Sequence, residues 1–225
     1  MKLGVLFSGG KDSCLACHRA MQKNLIVCLI SVLSKNDESY MFHTPNISLT
    51  ELQAKAMGLP LVRKETEGRK EEELKDLVDA IEEAKMHGIE GIVTGAIDSV
   101  YQSTRIQRIC NRLGLYCFNP LWQADQKALM EEVISSGFDA IVSGVFAYPL
   151  GREMLGRKID SKLLDEMMEN SKRYGISPSG EGGEIETFVR DGPMFRHRIR
   201  VDGARKVFDG DSGIYRIEKA RLVKK

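Results

Sequence analysis

The 225-residue chain is most informative first for what it has little of. It has no long apolar run: the longest, Leu25 to Leu33, is interrupted by Ser31 and falls far short of the roughly 20 residues that span a bilayer. The N-terminus enters strand-like sequence with no cleavable signal, so a cytoplasmic location and no membrane partner are expected. It has no charge excess. Lys+Arg 33 against Asp+Glu 32 gives +1, which excludes a global pull toward polyanions and leaves only local patches, so no stable nucleic-acid partner is expected. Cysteine is sparse and odd in number (Cys14, Cys17, Cys28, Cys110 and Cys117), which argues for free thiols rather than a disulfide framework. Internal repeats and low-complexity tracts are missing. With 42% apolar and 29% charged residues, the chain suits one large domain or two small ones.

What it does have is Phe7-Ser8-Gly9-Gly10-Lys11-Asp12-Ser13, between a buried-strand run, Leu3 to Phe7, and helical spacing from Lys11 to about Lys23. A strand that turns through glycines into a helix suits phosphate. Glycine lets the backbone approach an anion, and the first helical turn offers N–H groups and a positive dipole end. Ser8 and Ser13 add hydroxyls and Lys11 a point charge. The spacing is not that of the Gly-x-x-x-x-Gly-Lys-Ser/Thr loop. It resembles the PP-loop of the ATP pyrophosphatases, which split ATP into AMP and pyrophosphate; a Ser/Gly turn capped by Asp12 and Ser13 is the plainer alternative. Cys14-Leu15-Ala16-Cys17-His18 matches a haem-attachment string, but that chemistry belongs to exported proteins. The three side chains share a helix face, where a metal is conceivable and packing on a sheet is expected.

Further along, Ile26 to Leu33 reads as a central parallel strand. A polar loop, Ser34 to Ser39, and the Tyr40 to Asn46 stretch follow. Ser48-Leu49-Thr50-Glu51 fits a capping box for a helix ending near Gly58. Leu61-Val62 opens a third strand. Glu71 to Met86 is amphipathic, with Leu74, Leu77, Val78, Ile81 and Ala84 on one face and a Glu71–Lys75 pair on the other, stopping at Gly88. Gly91 to Thr94 is a fourth strand, Val100 to Leu113 a helix stopped by Gly114, and Leu115 to Phe118 a fifth strand. Strands alternating with helices predict an α/β fold with a doubly wound five-stranded parallel sheet. Beyond about Asp125 the pattern changes. Helices are expected at Gln126 to Ser135 and Asp160 to Tyr174, a strand at Ala140 to Phe146, and short runs at Ile185 to Val189, His197 to Val201, Arg205 to Phe208 and Ile214 to Leu222. These predict a second, smaller α+β domain with terminal hairpins, dividing the chain into residues 1–124 and 125–225.

Ligands of open α/β sheets bind beyond the carboxyl ends of the strands. The fourth strand delivers Thr94 and Gly95 there, as a second phosphate or ribose contact or as a Thr-capped turn. In Ser99 to Arg112, Tyr101 and Arg105 share a helix face and Gln102 adjoins them. A guanidinium there would grip phosphate or carboxylate, or else face solvent. Gly180 to Thr187, running into Asp191-Gly192-Pro193, interleaves acids with glycine. On a strand Glu184 and Glu186 would face one side, where paired carboxylates bind metal, share a proton or hold ammonium; an exposed acidic hairpin is the alternative. Arg196, Arg198 and Arg200 alternate on a strand face that is solvated or meets an acidic macromolecule.

Together SGGKDS, SYMFHTPN, GAIDSVYQSTRIQRICNRLGL, NPLW, LGRKID and GEGGEIETFVRDGPMF resemble the diphthine–ammonia ligase family, from the first strand to about Phe195. Mild departures fall at Ile185, Phe188 and Met194, and the chain resembles the family's short form. The resemblance implies that ATP adenylates the carboxylate of diphthine, a modified histidine on translation elongation factor 2, releasing pyrophosphate. Ammonium then supplies ammonia to displace AMP. It assigns Ser8, Gly9, Gly10, Lys11, Asp12 and Ser13 to pyrophosphate, Thr94 and Gly95 to the nucleotide, and Gln102 and Arg105 to the reacting carboxylate or α-phosphate. Lys11 and Mg²⁺ would stabilise the transition state, with Asp12 as a metal ligand. Glu184 and Glu186 are the candidates for holding ammonium and taking its proton, and Glu181, Tyr101 and Asp191 for the trimethylammonium of diphthine. Two rivals are a PP-loop tRNA-thiolating enzyme, which would want a persulfide cysteine and a basic surface, and a nucleotide sensor without turnover.

Overall fold

A computed structural model describes residues 1–34, 46–68 and 70–225, with the side chains of residues 70–72 outside the description. Most of the SYMFHTPN string and the Glu71–Lys75 pair therefore lie outside the described residues. Asn46, the last residue of that string, accepts a hydrogen bond from the Ile217 N–H (2.8 Å) and donates one to the Tyr215 carbonyl (2.9 Å).

Strands β1 (Lys2–Leu6), β2 (Leu25–Ser34), β3 (Leu61–Thr66), β4 (Gly91–Val93) and β5 (Tyr116–Phe118) form one wholly parallel sheet, ordered β3-β2-β1-β4-β5. This is the doubly wound sheet that the alternation predicts. Helices α1 (Lys11–Met21) and α2 (Thr50–Met57) share a core with Leu3, Val5 and Phe7 on one face. On the other face α3 (Lys70–Ala84) and α4 (Val100–Leu113) bring Leu77, Ile81, Ile106 and Ile109 against Cys28, Ile30 and Ile92. With both faces covered, β2 needs apolar residues throughout rather than alternation, which is why its sequence is a run. Strand order reverses between β1 and β4, so a crevice opens beyond their carboxyl ends.

The remainder folds as α5 (Gln126–Ser135), α6 (Ser161–Tyr174) and an antiparallel sheet, β7-β6-β9-β8, made of β6 (Asp139–Val145), β7 (Ile185–Asp191), β8 (His197–Asp209) and β9 (Ser212–Lys224). Met130, Leu163, Met167, Phe188 and Val189 join the same core as Leu3 and Val5, so the second sheet is packed onto the first.

Two local expectations are corrected. Ser48 makes no cap: residues Ile47–Leu49 already turn as a 3-10 helix that runs into α2, and the Thr50 hydroxyl donates back to the Ile47 carbonyl (2.7 Å). The separate runs 197–201 and 205–208 are one 13-residue strand, because register shifts around Gly203 absorb the break as a bulge. Among the described residues no helix is long and apolar enough to cross a membrane.

Candidate active site

The chain leaves β1 with the Phe7 N–H still bonded to the Ile30 carbonyl (2.8 Å). Gly9 then takes a φ of +78°, and a Cβ there would lie 2.0 Å from the Gln53 side-chain oxygen, so only glycine fits. Helix α1 starts at Lys11. The Ser8 and Ser13 hydroxyls are 3.3 Å apart, and Ser13 Oγ donates to the Gly10 carbonyl (3.1 Å). Lys11 is buried, with Nζ 2.8 Å from the Asp12 carboxylate.

From β4, the Thr94 hydroxyl donates to Asn119 Oδ1 (3.1 Å) and accepts from the Ala96 N–H (3.1 Å), so it braces its own turn. Gly95 packs on the first turn of α1, where a Cβ would meet the Asp12 carbonyl carbon and the Ser13 nitrogen at 2.9 Å. A cavity of about 360 Å³ lies between these turns, with Leu6, Ile30, Val32 and Ile106 on its apolar side.

The far wall of this cavity is β7. The Lys11 N–H donates to Thr187 Oγ1 (2.9 Å) and the Val189 N–H to the Gly9 carbonyl (3.0 Å). Gln53 Nε2 donates to both the Gly9 (2.9 Å) and Val189 (2.8 Å) carbonyls. Glu186 thus enters the cavity beside the loop, keeping a little surface toward it but enclosed on nearly every other side. Burial pushes its carboxyl up to about 7; Lys11 pulls it down, and Asp12 and Glu181 add to the rise. A carboxyl that exchanges its proton near neutral pH suits general base work. Glu181 is raised as well, chiefly by burial, although its Oε1 accepts from the N–H groups of Asp98 (3.0 Å) and Ser99 (3.3 Å). It therefore fastens the acid-rich loop to the turn that precedes α4.

The structure brings Ser8, Gly10, Lys11, Asp12, Ser13, Thr94, Gly95, Gln102, Glu181 and Glu186 to one cavity, with Gly9 supporting the turn. Other expected partners are held elsewhere. β7 begins only at Ile185, so Glu184 does not share a strand face with Glu186; its Oε1 accepts from the Ser177 N–H (2.7 Å). Asp191 is engaged at the end of β7 by Arg198 (3.3 Å) and Lys225 (2.7 Å). Tyr101 and Arg105 are not on the cavity wall: the guanidinium lies 3.3 Å from the centre of the Tyr101 ring, stacked on its own helix.

Gln53, Thr187 and Gln126 received no role from sequence. Gln53 is a buried amide on α2 beside Ala54, Ala56 and Met57, a burial that the sequence alone does not show. Gln126 Oε1 accepts from the Ser177 and Ser179 hydroxyls, while Nε2 donates to Asp98 (3.2 Å). Beneath α1, burial pushes the Cys17 thiol up to about 12 and Cys14 well above its ordinary value, so neither is a ready thiolate. His18 meets Phe138 edge-on at 5.9 Å. Among the described residues no group of three His, Cys, Asp or Glu side chains could hold a metal.

Comparison with known sequences matches the chain to a family. Residues 1–117 fit the model described as the diphthamide synthase N-terminal domain, and residues 125–223 fit that of the diphthamide synthase C-terminal domain. The chain belongs to the diphthamide synthase family. Its similar relatives include the diphthine–ammonia ligases of Rattus norvegicus (34% identical, covering 99% of this chain and 91% of that protein), Danio rerio (34%, 100% and 95%) and Homo sapiens (36%, 92% and 85%). A solved structure, a predicted subunit of tRNA methyltransferase from Methanocaldococcus jannaschii, overlays with a TM-score of 0.44 at 22% identity over 86% of this chain and 98% of that one, a likeness too slight to bear on function. Within the diphthamide synthase match, the phosphate-type loop comes from the N-terminal region and Glu186 from the C-terminal one, so the cavity needs both.

Proposed function

We propose that this chain is an ATP-dependent diphthine–ammonia ligase of the cytoplasm, with residues 1–124 as its ATP-binding unit and 125–225 as its substrate unit. A carboxylate is a poor acyl donor until one oxygen becomes a good leaving group. An oxygen of the diphthine carboxylate attacks the α-phosphorus of ATP, and pyrophosphate leaves. Ammonia then attacks the acyl carbon, and AMP departs to give the amide.

The loop from Ser8 to Ser13 receives the pyrophosphate portion, with hydroxyls from Ser8 and Ser13 and charge from Lys11. The Lys11 N–H is engaged by Thr187, so the loop's other donors carry that contact. Gln102 faces the same cavity and orients the reacting carboxylate or α-phosphate. Magnesium, when bound with ATP, would neutralise phosphate charge; Asp12, which is partly exposed at the cavity, would hold it together with phosphate oxygens, since Mg²⁺ is commonly bound through one or two carboxylates. Glu186 holds ammonium as a carboxylate and takes its proton, releasing the ammonia nucleophile.

The observation that carries this reading is that Glu186 shares one cavity with an ATP-pyrophosphatase-type loop, where burial pushes its carboxyl up to about 7. The protein substrate is elongation factor 2 bearing diphthine. The test incubates the protein with ATP, ammonium and that factor, with controls lacking each. AMP and pyrophosphate that require the factor, together with a carboxylate-to-amide mass shift on it, are expected. AMP release stimulated by tRNA with no amide on the factor would overturn the proposal.

A further inference from the structure

Among the described residues the second sheet ends at β7, in the order β7-β6-β9-β8, so β7 has a strand on one side only. Its other side meets the glycine loop. The Val189 N–H donates to the Gly9 carbonyl (3.0 Å), and the Thr187 hydroxyl, two residues back, accepts from the Lys11 N–H (2.9 Å). A buried edge carbonyl needs a donor, and at Val189 a side chain supplies it. Gln53 Nε2, from α2, donates both to the Val189 carbonyl (2.8 Å) and to the Gly9 carbonyl (2.9 Å). One amide is thus bonded to the loop and to β7 at once.

Two further observations set this amide apart from ordinary packing. Gln53 is 0% exposed, and its Oε1 has no hydrogen-bond partner among the described residues. As filler it is poor, because an apolar side chain of that shape would leave no orphaned acceptor. The same oxygen occupies the space that a Cβ on Gly9 would enter. Glu186, meanwhile, precedes Thr187 and faces the cavity. Where β7 sits along the loop therefore decides where Glu186 meets it, since a slip of one residue moves a strand's side chains by about 3.3 Å.

We propose that Gln53 is a positioning residue, which fixes Glu186 of β7 against the glycine loop. It stands outside the cavity lining, so its effect is carried by Gly9 and Val189. The step it serves, the release and attack of ammonia, rests on the function proposed above.

The test compares Gln53→Met, which keeps the length and removes both donations, with Val133→Ala, a truncation of a buried α5 residue that is not in the cavity lining. Both are assayed where unfolding curves show them folded. At saturating ATP, ammonium and diphthine-bearing factor, Gln53→Met should lower kcat about tenfold, while Val133→Ala keeps it within about twofold. In a Glu186→Gln background Gln53→Met should lower the rate little further, because the group it places is gone. Equal losses in the two single variants, an unchanged kcat, or a full tenfold loss in the Glu186→Gln background would each overturn the proposal. Should Gln53→Met not fold, Gln53→Asn, which withdraws the amide by one methylene, takes its place.

A second measurement needs no turnover. In Gln53→Met the Lys11 and Val189 amides should exchange hydrogen about tenfold faster relative to the Phe7 amide, which is bonded within the first sheet, and Val133→Ala should leave that ratio unchanged. An unchanged ratio in Gln53→Met would also overturn the proposal. If the wild type amidates nothing, the function proposal falls, while hydrogen exchange still decides whether Gln53 holds the loop to β7.

Discussion

Two stretches enclose the same cavity, share the bond from the Lys11 N–H to Thr187, and differ in how their side chains are held. The loop from Ser8 to Ser13 carries much of its own support: Ser8 on Ser13, Ser13 on the Gly10 carbonyl, Lys11 on Asp12. The loop from Gly180 to Thr187 has local bonds around Ser177 too, but its cavity-facing side chains are pinned from afar, Glu181 by residues 82 and 83 positions away and Thr187 by Lys11 at a separation of 176. A self-supporting loop carries its shape in its own letters. A remotely held one shows only its composition until the fold brings the partners.

The largest expected effect sharpens this contrast on the remote side. Glu186→Gln keeps shape and removes the proton acceptor, so amidation should slow by roughly 10²–10⁴-fold with ATP binding retained, read by the mass shift on the factor and by nucleotide titration. Unchanged amidation would remove Glu186 from the mechanism. Gly95→Ala attacks the contact between β4 and α1, where backbone atoms cannot move aside. A loss of about 3 kcal/mol in denaturant unfolding is expected, with weakened ATP binding.

Thr187→Val leaves the buried Lys11 N–H without its acceptor and should cost about 1–3 kcal/mol. Glu186 also sets a pH dependence. Its folded pKa, about 7, exceeds the ordinary 4.5, so the unfolded chain sheds this proton first. Stability contributed by the neutral carboxyl is therefore full below about 4.5 and declines as pH rises to about 7. Wild type should lose on the order of 1–2 kcal/mol relative to Glu186→Gln between pH 5 and 8, after allowance for solvent in the cavity, measured by paired unfolding curves. Smallest is Ser8→Ala, which removes a long local contact and should shift stability by no more than about 0.5 kcal/mol. A Ser8 cost exceeding that of Thr187 would break the comparison.

Much of the fold was legible because its signals are local. The alternation of strands and helices gave the parallel sheet, and Val100 to Leu113 and Gln126 to Ser135 form helices over the residues expected. The β8–β9 hairpin was read as fragments because a bulge looks like a strand end. At the site, the glycine loop was legible, but the pairing of Glu184 with Glu186 was not. It depended on where β7 begins, and that is decided by pairing with β6 rather than by the acids themselves. Arg105 stacks on Tyr101 of its own helix, an arrangement that composition cannot tell from a guanidinium facing a ligand.

The hydrogen bonds from Lys11 to Thr187 and from Val189 to Gly9 also have a consequence in time. A ribosome makes the glycine loop well before its opposing wall. The nascent chain therefore carries a loop whose bonds to β7 cannot form until some 180 further residues have emerged, so this wall of the cavity closes late.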